Sequence, residues 1–285
     1  MFSGAEGAKP LTKDQTTNKA AAQSSVTFIY EAKVAESCRN VTVTWSKNLM
    51  NYSLCINVES LSDNENQYTC KIDMKTWQFW GRKGLKSFDV GDKRVDVFWD
   101  FRQAKFSTNP EPTSDYYVAI VSDEEVVLLL GDLAKDAYKR TRKPPSLQEP
   151  TLLCKKENVY GKRLFCTKTM LDRKEHDLTI ENSPSGHGDP ELWISIDGFE
   201  VIHIMNLNWR FRGNETVKVK DVPLQIFWDV HDWLFSSPGA GNGLFILKPE
   251  TVESAAKHGR NSSIGSDIGD EITGFCHIIY AWRTD

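Results

Sequence analysis

The sequence predicts an all-β protein of duplicated antiparallel sheets, arranged as a sandwich or a barrel about a pseudo-two-fold axis, with one connecting helix. Three observations support this fold class. The 285 residues include nine Trp, fourteen Phe and eight Tyr, and aromatic side chains fit the half-buried pleated surface of a sheet. Short stretches of alternating apolar and polar residues recur along the chain. One stretch of sequence is also repeated in the second half.

The first repeat is predicted over residues 25–131, after a polar N-terminal tail. Residues 1–24 are rich in Ala, Lys, Thr, Gln and Ser and hold little to bury, so we expect them to be disordered. The pattern changes at Val26, and period-two alternation then predicts a series of short strands. These strands are expected at residues 41–45, 53–58, 68–74, 77–82, 86–90, 94–101, 116–121 and 126–130.

Residues 132–147 are predicted to connect the two repeats. Residues 133–142 favour a helix because they are rich in Ala, Lys, Asp and Arg, and Pro144 and Pro145 end it. We interpret its basic residues as a solvated face whose charges favour the helix C-terminus. The alternatives are a nuclear-import patch or weak contact with an anionic surface. The basic residues are Lys135, Lys139, Arg140, Arg142 and Lys143.

The second repeat is predicted over residues 148–249, followed by a loop and one further strand. Residues 250–272 are rich in Ser, Gly and Asp and predict a flexible loop. An apolar and aromatic pattern within residues 273–285 predicts a final strand that completes a sheet, in either half. The strands of the second repeat are expected at residues 152–156, 164–169, 176–181, 192–196, 200–207, 209–212, 216–219, 224–230 and 243–248.

The repeat is visible when residues 80–107 are aligned with residues 209–236 at an offset of 129, without a gap. Nine of these 28 positions are identical. Self-similarity at a long fixed period indicates a duplicated structural unit. The two halves are therefore expected to form either two packed sheets or one closed barrel, and closure would remove the exposed sheet edges.

Four segments of the chain resemble a known family. They are WRFRGN at residues 209–214, FWDVHDWLF at 227–235, DFRQAKF at 100–106 and SDEEVVLLLGD at 122–132. These long and specific strings resemble signature segments of a plant family of unknown function, number 868. The resemblance covers roughly residues 24–248, with a further match in the final strand. It implies a plant protein and supplies no activity.

Composition and motifs exclude several classes of function. The formal net charge of −4 gives no basic footprint for nucleic acid, and no run of about 18 apolar residues predicts a transmembrane segment. The N-terminal residues lack a secretory apolar core, so we expect a cytoplasmic protein and leave nuclear entry open. Six cysteines without a C-x-x-C pair indicate free thiols in a reducing compartment. No nucleotide loop or zinc spacing appears, so no cofactor and no metal are expected.

Two carboxylates at equivalent positions of the repeat are the first candidates for chemistry. Asp100 and Asp229 would form a general acid–base pair, as in a hydrolase, if they faced a shared cleft. The alternative, which we favour, is that each caps a turn or pairs with an arginine, because a shared fold keeps its structural residues. His231 has Arg102 as its counterpart, which excludes a symmetric metal site and favours a hydrogen-bonded histidine at a strand end.

The segment from 209 to 214 is the second candidate. Strand alternation would put Arg210 and Arg212 on one face, with Trp209 and Phe211 on the other. Two arginines on one face could hold a phosphate or a carboxylate, or could instead pair with acids of the protein itself. The candidate ligand-binding residues of the whole chain are Trp80, Arg82, Asp100, Trp209, Arg210, Arg212, Asn214, Asp229 and His231.

The sequence therefore predicts a non-catalytic binding module, for either an apolar small molecule held between the repeats or a partner protein. The first alternative is a regulatory adaptor switched by phosphorylation of the Ser-rich loop at 250–272. The second is a hydrolase that uses Asp100 and Asp229. A small-molecule carrier needs an enclosed apolar pocket on the order of several hundred Å³. An interaction module needs an exposed apolar patch, and an enzyme needs the two carboxylates to converge.

Overall fold

The computed structural model describes residues 24–48, 51–59, 68–75, 81–107, 109–183, 189–237, 240–249 and 274–284. These residues form strands with short helices, which confirms the predicted all-β fold class. Some predictions fall outside the described residues: the disordered tail at 1–23, most of the strand at 77–82 together with Trp80, and the flexible loop at 250–272.

The first half of the chain builds two antiparallel meanders and a short helix, α1 (Ala134–Thr141). Its described strands are β1 (Ser24–Val34), β2 (Ser37–Lys47), β3 (Asn51–Val58), β4 (Tyr68–Lys75), β5 (Lys83–Val90), β6 (Lys93–Asp100), β7 (Lys105–Phe106), β8 (Pro112–Ser114), β9 (Tyr117–Ser122) and β10 (Glu125–Gly131). Strands β5, β6, β9 and β10 form a small sheet in the order β10-β9-β6-β5. We call it the first small sheet.

The second half builds another small sheet and one more short helix, α2 (His231–Phe235). Its described strands are β11 (Thr151–Gly161), β12 (Leu164–Leu171), β13 (Lys174–Asn182), β14 (Leu192–Ile196), β15 (Phe199–Ile204), β16 (Arg212–Val219), β17 (Val222–Asp229), β18 (Asn242–Pro249) and β19 (Cys276–Arg283). Strands β12 to β15 form the second small sheet as a meander.

One nine-stranded sheet runs through both halves, in the order β16-β17-β18-β19-β11-β1-β2-β3-β4. Strand β11 joins the halves, because it pairs with β1 on one side and with β19 on the other. The β11–β19 pair is parallel, and the other neighbours in this sheet are antiparallel. The final strand therefore belongs with the second half. None of the described sheets closes on itself, so sandwich packing replaces the barrel alternative.

Both small sheets pack on the same face of the nine-stranded sheet, here called its inner face. Val26 of the first core and Ile279 of the second are each the cross-strand neighbour of Glu157. Directly opposed residues point to the same side of a sheet. The molecule is thus two sandwiches side by side on one shared sheet, with a separate hydrophobic core in each.

Helix α1 lies on the outer face of the first small sheet, away from the core. Its Ala137 is fully buried against Tyr117, Ala119 and Val121 of β9, and Tyr138 packs at the margin. The helix spans nearly the residues that the sequence predicts, and it follows β10 as the connector between the halves.

Two hairpins, one in each half, share the same register. Lys83 lies opposite Asp100 in the β5–β6 hairpin, and Arg212 lies opposite Asp229 in the β16–β17 hairpin. The indole Nε1 of Trp99 donates to the Gly81 carbonyl at 2.8 Å, and that of Trp228 donates to the Arg210 carbonyl at 2.9 Å. These are positions related by the offset of 129 in the sequence alignment.

The prediction of a strand at residues 209–212 is wrong. Residues 207–209 form a turn, the side chain of Trp209 is 85% exposed, and β16 begins only at Arg212. Arg210 and Arg212 therefore do not line one strand face. Ser24, placed in the tail by its composition, begins β1. The predicted elements do not include β1, the short strands β7 and β8, or the helix α2.

Candidate functional site

The outer face of the nine-stranded sheet is polar where it is built by first-half strands. One row across these strands consists of Thr27, Thr44, Cys55 and Lys71. The hydroxyl groups of Thr27 and Thr44 are 3.0 Å apart and hydrogen-bond to each other. This part of the face has the composition expected of a sheet surface in contact with water.

The same face is apolar where it is built by second-half strands. Continuing the rows across β19, β18 and β17 gives five large side chains that are each only partly buried. We call them the apolar platform: Phe227, Leu244, Ile246, Ile278 and Tyr280. None of them belongs to the three hydrophobic clusters of the described residues. Apolar side chains gathered on one solvent-facing surface mark an interaction site more often than scattered ones do.

Cations stand at two margins of the apolar platform. The Lys156 ammonium lies 5.3 Å from the ring centre of Tyr280, and the Lys248 ammonium lies 6.0 Å from that of Phe227. Neither forms an ion pair with a carboxylate in the part of the chain that the structure describes. A cation over an aromatic face is attracted to the ring and keeps its charge available to a ligand.

A shallow depression of about 300 Å³ opens on the apolar platform beside β16. It brings together three of the residues that the sequence singled out, Arg212, Asn214 and Asp229, with Phe227 and Ile246. The Arg212 Nε donates to Asp229 at 2.7 Å. The depression therefore combines an apolar floor with one ion-paired polar end.

The equivalent face in the first half is covered by helix α1. In the second half, Asp229 lies opposite Leu244 and Phe227 lies opposite Ile246. At the matching positions of the first half, Asp100 lies opposite Tyr117 and Phe98 lies opposite Ala119. Of these first-half residues, Phe98, Tyr117 and Ala119 pack with α1 in a hydrophobic cluster of their own. Among the described residues, no helix lies on the apolar platform in this way.

Asp100 is held by its own hairpin. Its carboxylate accepts hydrogen bonds from the Arg102 side chain at 2.8 to 3.2 Å and from the Arg102 backbone N–H at 3.1 Å, and Lys83 lies 3.3 Å away. Burial acts to raise the pKa of Asp100, but these donors outweigh it and the net pKa lies below its ordinary value. Asp100 thus stays ionised, as a structural partner does.

The two repeated carboxylates line separate depressions. Asp100 lines one of about 370 Å³ beside α1, which Lys139 and Arg140 of the helix also reach. Asp229 lines the depression on the apolar platform. Each carboxylate pairs with an arginine, and each accepts the backbone N–H of the residue two positions later. This arrangement matches the capping and ion-pairing alternative, and it gives no geometric support to an acid–base pair.

Most of the remaining candidates lie at the end of the second sandwich. His231 contacts the rings of Phe211 and Phe235, with ring centres 5.3 and 4.9 Å away. Trp209 lies in the turn that precedes Phe211, and its side chain is exposed. Arg210 contributes its backbone carbonyl to Trp228. The last candidate, Arg82, lies in the first half, where its carbonyl accepts the N–H of Phe101 as the Phe211 carbonyl accepts that of Val230 in the second half.

The basic residues around α1 are spread over its exposed surface. Lys135, Lys139, Arg140 and Arg142 are exposed, and Lys143 pairs with a glutamate of the β9–β10 turn. Only Lys139 and Arg140 converge with another candidate, Asp100.

A buried polar cluster lies on the inner face of β11, in the seam between the two cores. The Glu157 carboxylate accepts hydrogen bonds from His277 Nε2 at 2.7 Å and from the Thr167 hydroxyl, with Lys155 3.2 Å away. Burial acts to raise the pKa of Glu157, but these partners lower it to about 2. Lys155 balances the charge of Glu157, and the described residues hold no group of ligands that could bind a metal ion.

The sequence reasoning missed the apolar platform because it did not assign the two faces of each strand. A signal was present in β18, whose Leu244, Phe245, Ile246 and Leu247 are apolar on both faces. Such a run indicates a strand covered on two sides, as β9 is by its core and by α1. No described helix is long and apolar enough to cross a bilayer.

The comparison with family models gives one result. The model described as plant protein of unknown function (DUF868) matches residues 21–283. No curated protein and no solved structure matches the chain.

Proposed function

The chain belongs to this plant family of unknown function, and since the family supplies no activity, we propose from the site's geometry that the protein is a non-catalytic binding module. Its partner is a protein that covers the apolar platform. The observation that carries this proposal is the contrast within one sheet face, which is polar over the first half and apolar over the second.

The energetics of burial support a protein partner. Fully burying one large apolar side chain contributes about 1.5–3 kcal/mol. The five side chains of the apolar platform are already mostly buried, so completing their burial contributes on the order of 1–5 kcal/mol. This gain offsets part of the cost of association, and the partner's own apolar surface and polar contacts at the rim supply the remainder.

The apolar small-molecule alternative has less support. The space at the junction of the two halves, about 470 Å³, is lined by polar groups that include Ser25, Lys47 and Asn158. The inner seam between the cores is occupied by Glu157 and its partners. An apolar ligand favours an enclosed apolar lining, and the apolar depression of this molecule lies on its surface instead.

The non-catalytic character of the proposal rests on the repeated carboxylates. Asp100 and Asp229 are each engaged by an arginine and line different depressions. A hydrolase of the predicted kind needs both to act on one bond.

We further propose that the two halves arose by duplication and that the protein works in the cytoplasm. The shared register of the two hairpins favours duplication. Unbonded thiols favour a reducing compartment, since Cys154 and Cys276 are direct neighbours on β11 and β19 and remain free. Imaging the full chain with a fluorescent tag in plant cells tests the location, and a signal confined to the secretory pathway would contradict it.

A photo-crosslinking residue in the apolar platform tests the proposed function. The full chain carries benzoylphenylalanine at Ile246, or as the matched control at Thr44 on the polar part of the same face, and is irradiated in plant cells. We expect a discrete adduct with another protein from position 246 and none from position 44.

Two outcomes would contradict the proposal. One is equal crosslinking from positions 246 and 44, which would make the apolar platform no more than ordinary surface. The other is an adduct with a second copy of the chain alone, which would make the platform a self-association surface.

A further inference from the structure

We infer that the apolar platform binds an amphipathic helix with acidic residues along its margins, placed as α1 is placed on the equivalent face of the first half. This inference rests on the proposed function and specifies the kind of partner. The observations that carry it are the covered counterpart of the platform, the cations around it that form no ion pair among the described residues, and the backbone chemistry of a sheet face.

The covered counterpart shows which element fits this kind of surface. Strands β6 and β9 present Phe98, Tyr117 and Ala119 outward at the positions that Phe227, Leu244 and Ile246 occupy on β17 and β18. In the first half these residues are covered by one short helix of eight residues. A surface of the same strand geometry and register accepts an element of the same shape.

The contacts of α1 define the spacing that such a helix uses. Leu133, Ala137 and Thr141 follow one another at intervals of four, and Ala137 and Thr141 are buried. Residues four apart lie on one face of a helix. A helix on the apolar platform therefore presents apolar residues at intervals of three and four to Leu244, Ile246 and Ile278.

An extended segment is the poorer match to the middle of this face. Every N–H and C=O of a helix interior is satisfied within the helix, whereas an extended chain laid on apolar side chains finds no hydrogen-bond partner for its backbone groups on that surface. An extended segment pairs with a sheet edge instead. The edge of the nine-stranded sheet on this side is β16, and the platform lies on the face of the strands beyond it.

The charges around the apolar platform fit an acidic helix. Lys156 and Lys248 stand over Tyr280 and Phe227 without an ion pair among the described residues. The carboxylate in the depression, Asp229, is engaged by Arg212. Opposite charges across an interface speed association and fix orientation.

Selection from a peptide library tests the inference. A displayed library of random 16-residue peptides is selected against the immobilised full chain and counter-selected against the Ile246→Asp variant, whose fold is checked by circular dichroism. We expect the enriched peptides to repeat apolar residues at three- and four-residue spacing, with Glu and Asp beside them. Enriched peptides with period-two alternation whose binding still depends on Ile246 would indicate an extended partner. That result would overturn the inference of a helix and leave the proposed function unchanged.

Other outcomes of the selection would overturn both proposals. One is that no peptide survives the counter-selection, because every peptide that binds the unaltered chain also binds Ile246→Asp. The other is that peptides bind only after residues 251–272 are deleted, which would make that segment of the chain the occupant.

A charge-reversal measurement keeps the test independent of the Ile246→Asp substitution. The affinity of the best peptide is measured with a Lys156→Glu and Lys248→Glu double variant and with a Lys71→Glu control on the polar part of the face. We expect about a tenfold loss for the double variant, shrinking at high salt, and little change for the control. Equal affinity for all three proteins would overturn the acidic helix.

Discussion

At the residue scale, one contact explains why a glycine and a tryptophan recur together in the repeat. A Cβ atom on Gly84 would lie 2.4 Å from the ring of Trp99, and one on Gly213 would lie 2.3 Å from that of Trp228. Each glycine therefore lets the opposite indole lie flat on the neighbouring strand and reach its carbonyl acceptor. The identities are visible in the sequence, but their cause is a cross-strand distance that sequence alone does not give.

Gly213→Ala tests this contact. Because the added methyl group would overlap a buried ring, we expect the free energy of unfolding to fall by about 1–3 kcal/mol. Urea unfolding followed by tryptophan fluorescence measures the change. Thr216→Ala, an exposed position on the same strand, is the control and is expected to change stability by no more than about 0.5 kcal/mol. Equal stability of the two variants would contradict the account.

A second residue-scale prediction concerns pH. Burial raises the pKa of Glu111 to about 7, and the hydrogen bond from the Tyr116 hydroxyl opposes this only in part. The folded state then holds a proton that the unfolded chain, with an ordinary value of 4.5, releases earlier. The stabilisation from protonated Glu111 is therefore fully present below about pH 4.5, and it is lost as the pH rises towards 7.

Glu111→Gln removes this titration. Between pH 4.5 and 7 the unaltered chain is expected to lose stability relative to the variant, by on the order of 1–3 kcal/mol. Unfolding in urea at several pH values measures the difference. Glu149→Gln, at an exposed loop position, is the control. If the stability of Glu111→Gln changes with pH in the same way as that of Glu149→Gln, the raised pKa of Glu111 is refuted.

At the element scale, the sequence predicts which segments are strands better than it predicts what covers them. The helix over residues 133–142 and most strands follow from composition and alternation. The segment at 209–212 does not, because Trp209 and Arg210 alternate like strand residues while lying in a turn. Whether the outward face of a strand is covered depends on residues that are distant in the sequence. Strands covered by α1 and strands of the open apolar platform therefore show the same local sequence pattern.

Aspartate substitutions at equivalent positions separate these two environments. Ala119→Asp places a charge beneath α1 at a fully buried position, and we expect a loss of at least about 3 kcal/mol of unfolding free energy. Ile246→Asp lies on the partly buried apolar platform, where the loss is expected to be about 1 kcal/mol, from poor strand propensity and lost contacts. Thermal or urea unfolding of both variants measures the two losses. Similar losses of unfolding free energy would show that the apolar platform is covered as well.

At the scale of the whole molecule, the shared sheet is the feature that sequence reasoning could not reach. The repeat predicts two halves. It does not predict that β11 pairs with β1 and with the distant β19, because these pairings join segments more than a hundred residues apart. The same pairings create the seam, and they place Glu157 where an alternating pattern would put an apolar residue.

Glu157→Leu tests the importance of the seam. The change leaves the nearly buried Lys155 without its carboxylate, so we expect a loss of about 3–5 kcal/mol of unfolding free energy. The matched control is Glu175→Leu, which breaks an exposed pair with Lys168 and should cost no more than about 1 kcal/mol. Equal costs, read from urea unfolding, would mean that the seam contributes nothing special.

Hydroxyl-radical footprinting of the purified full chain tests most directly whether the apolar platform is an open binding surface. Phe227 and Tyr280 are predicted to be oxidised more readily than two buried rings, Tyr117 on the matching face under α1 and Phe245 on the opposite face of β18. Equal protection of all four rings would contradict the account, because the platform would then already be covered within the free protein.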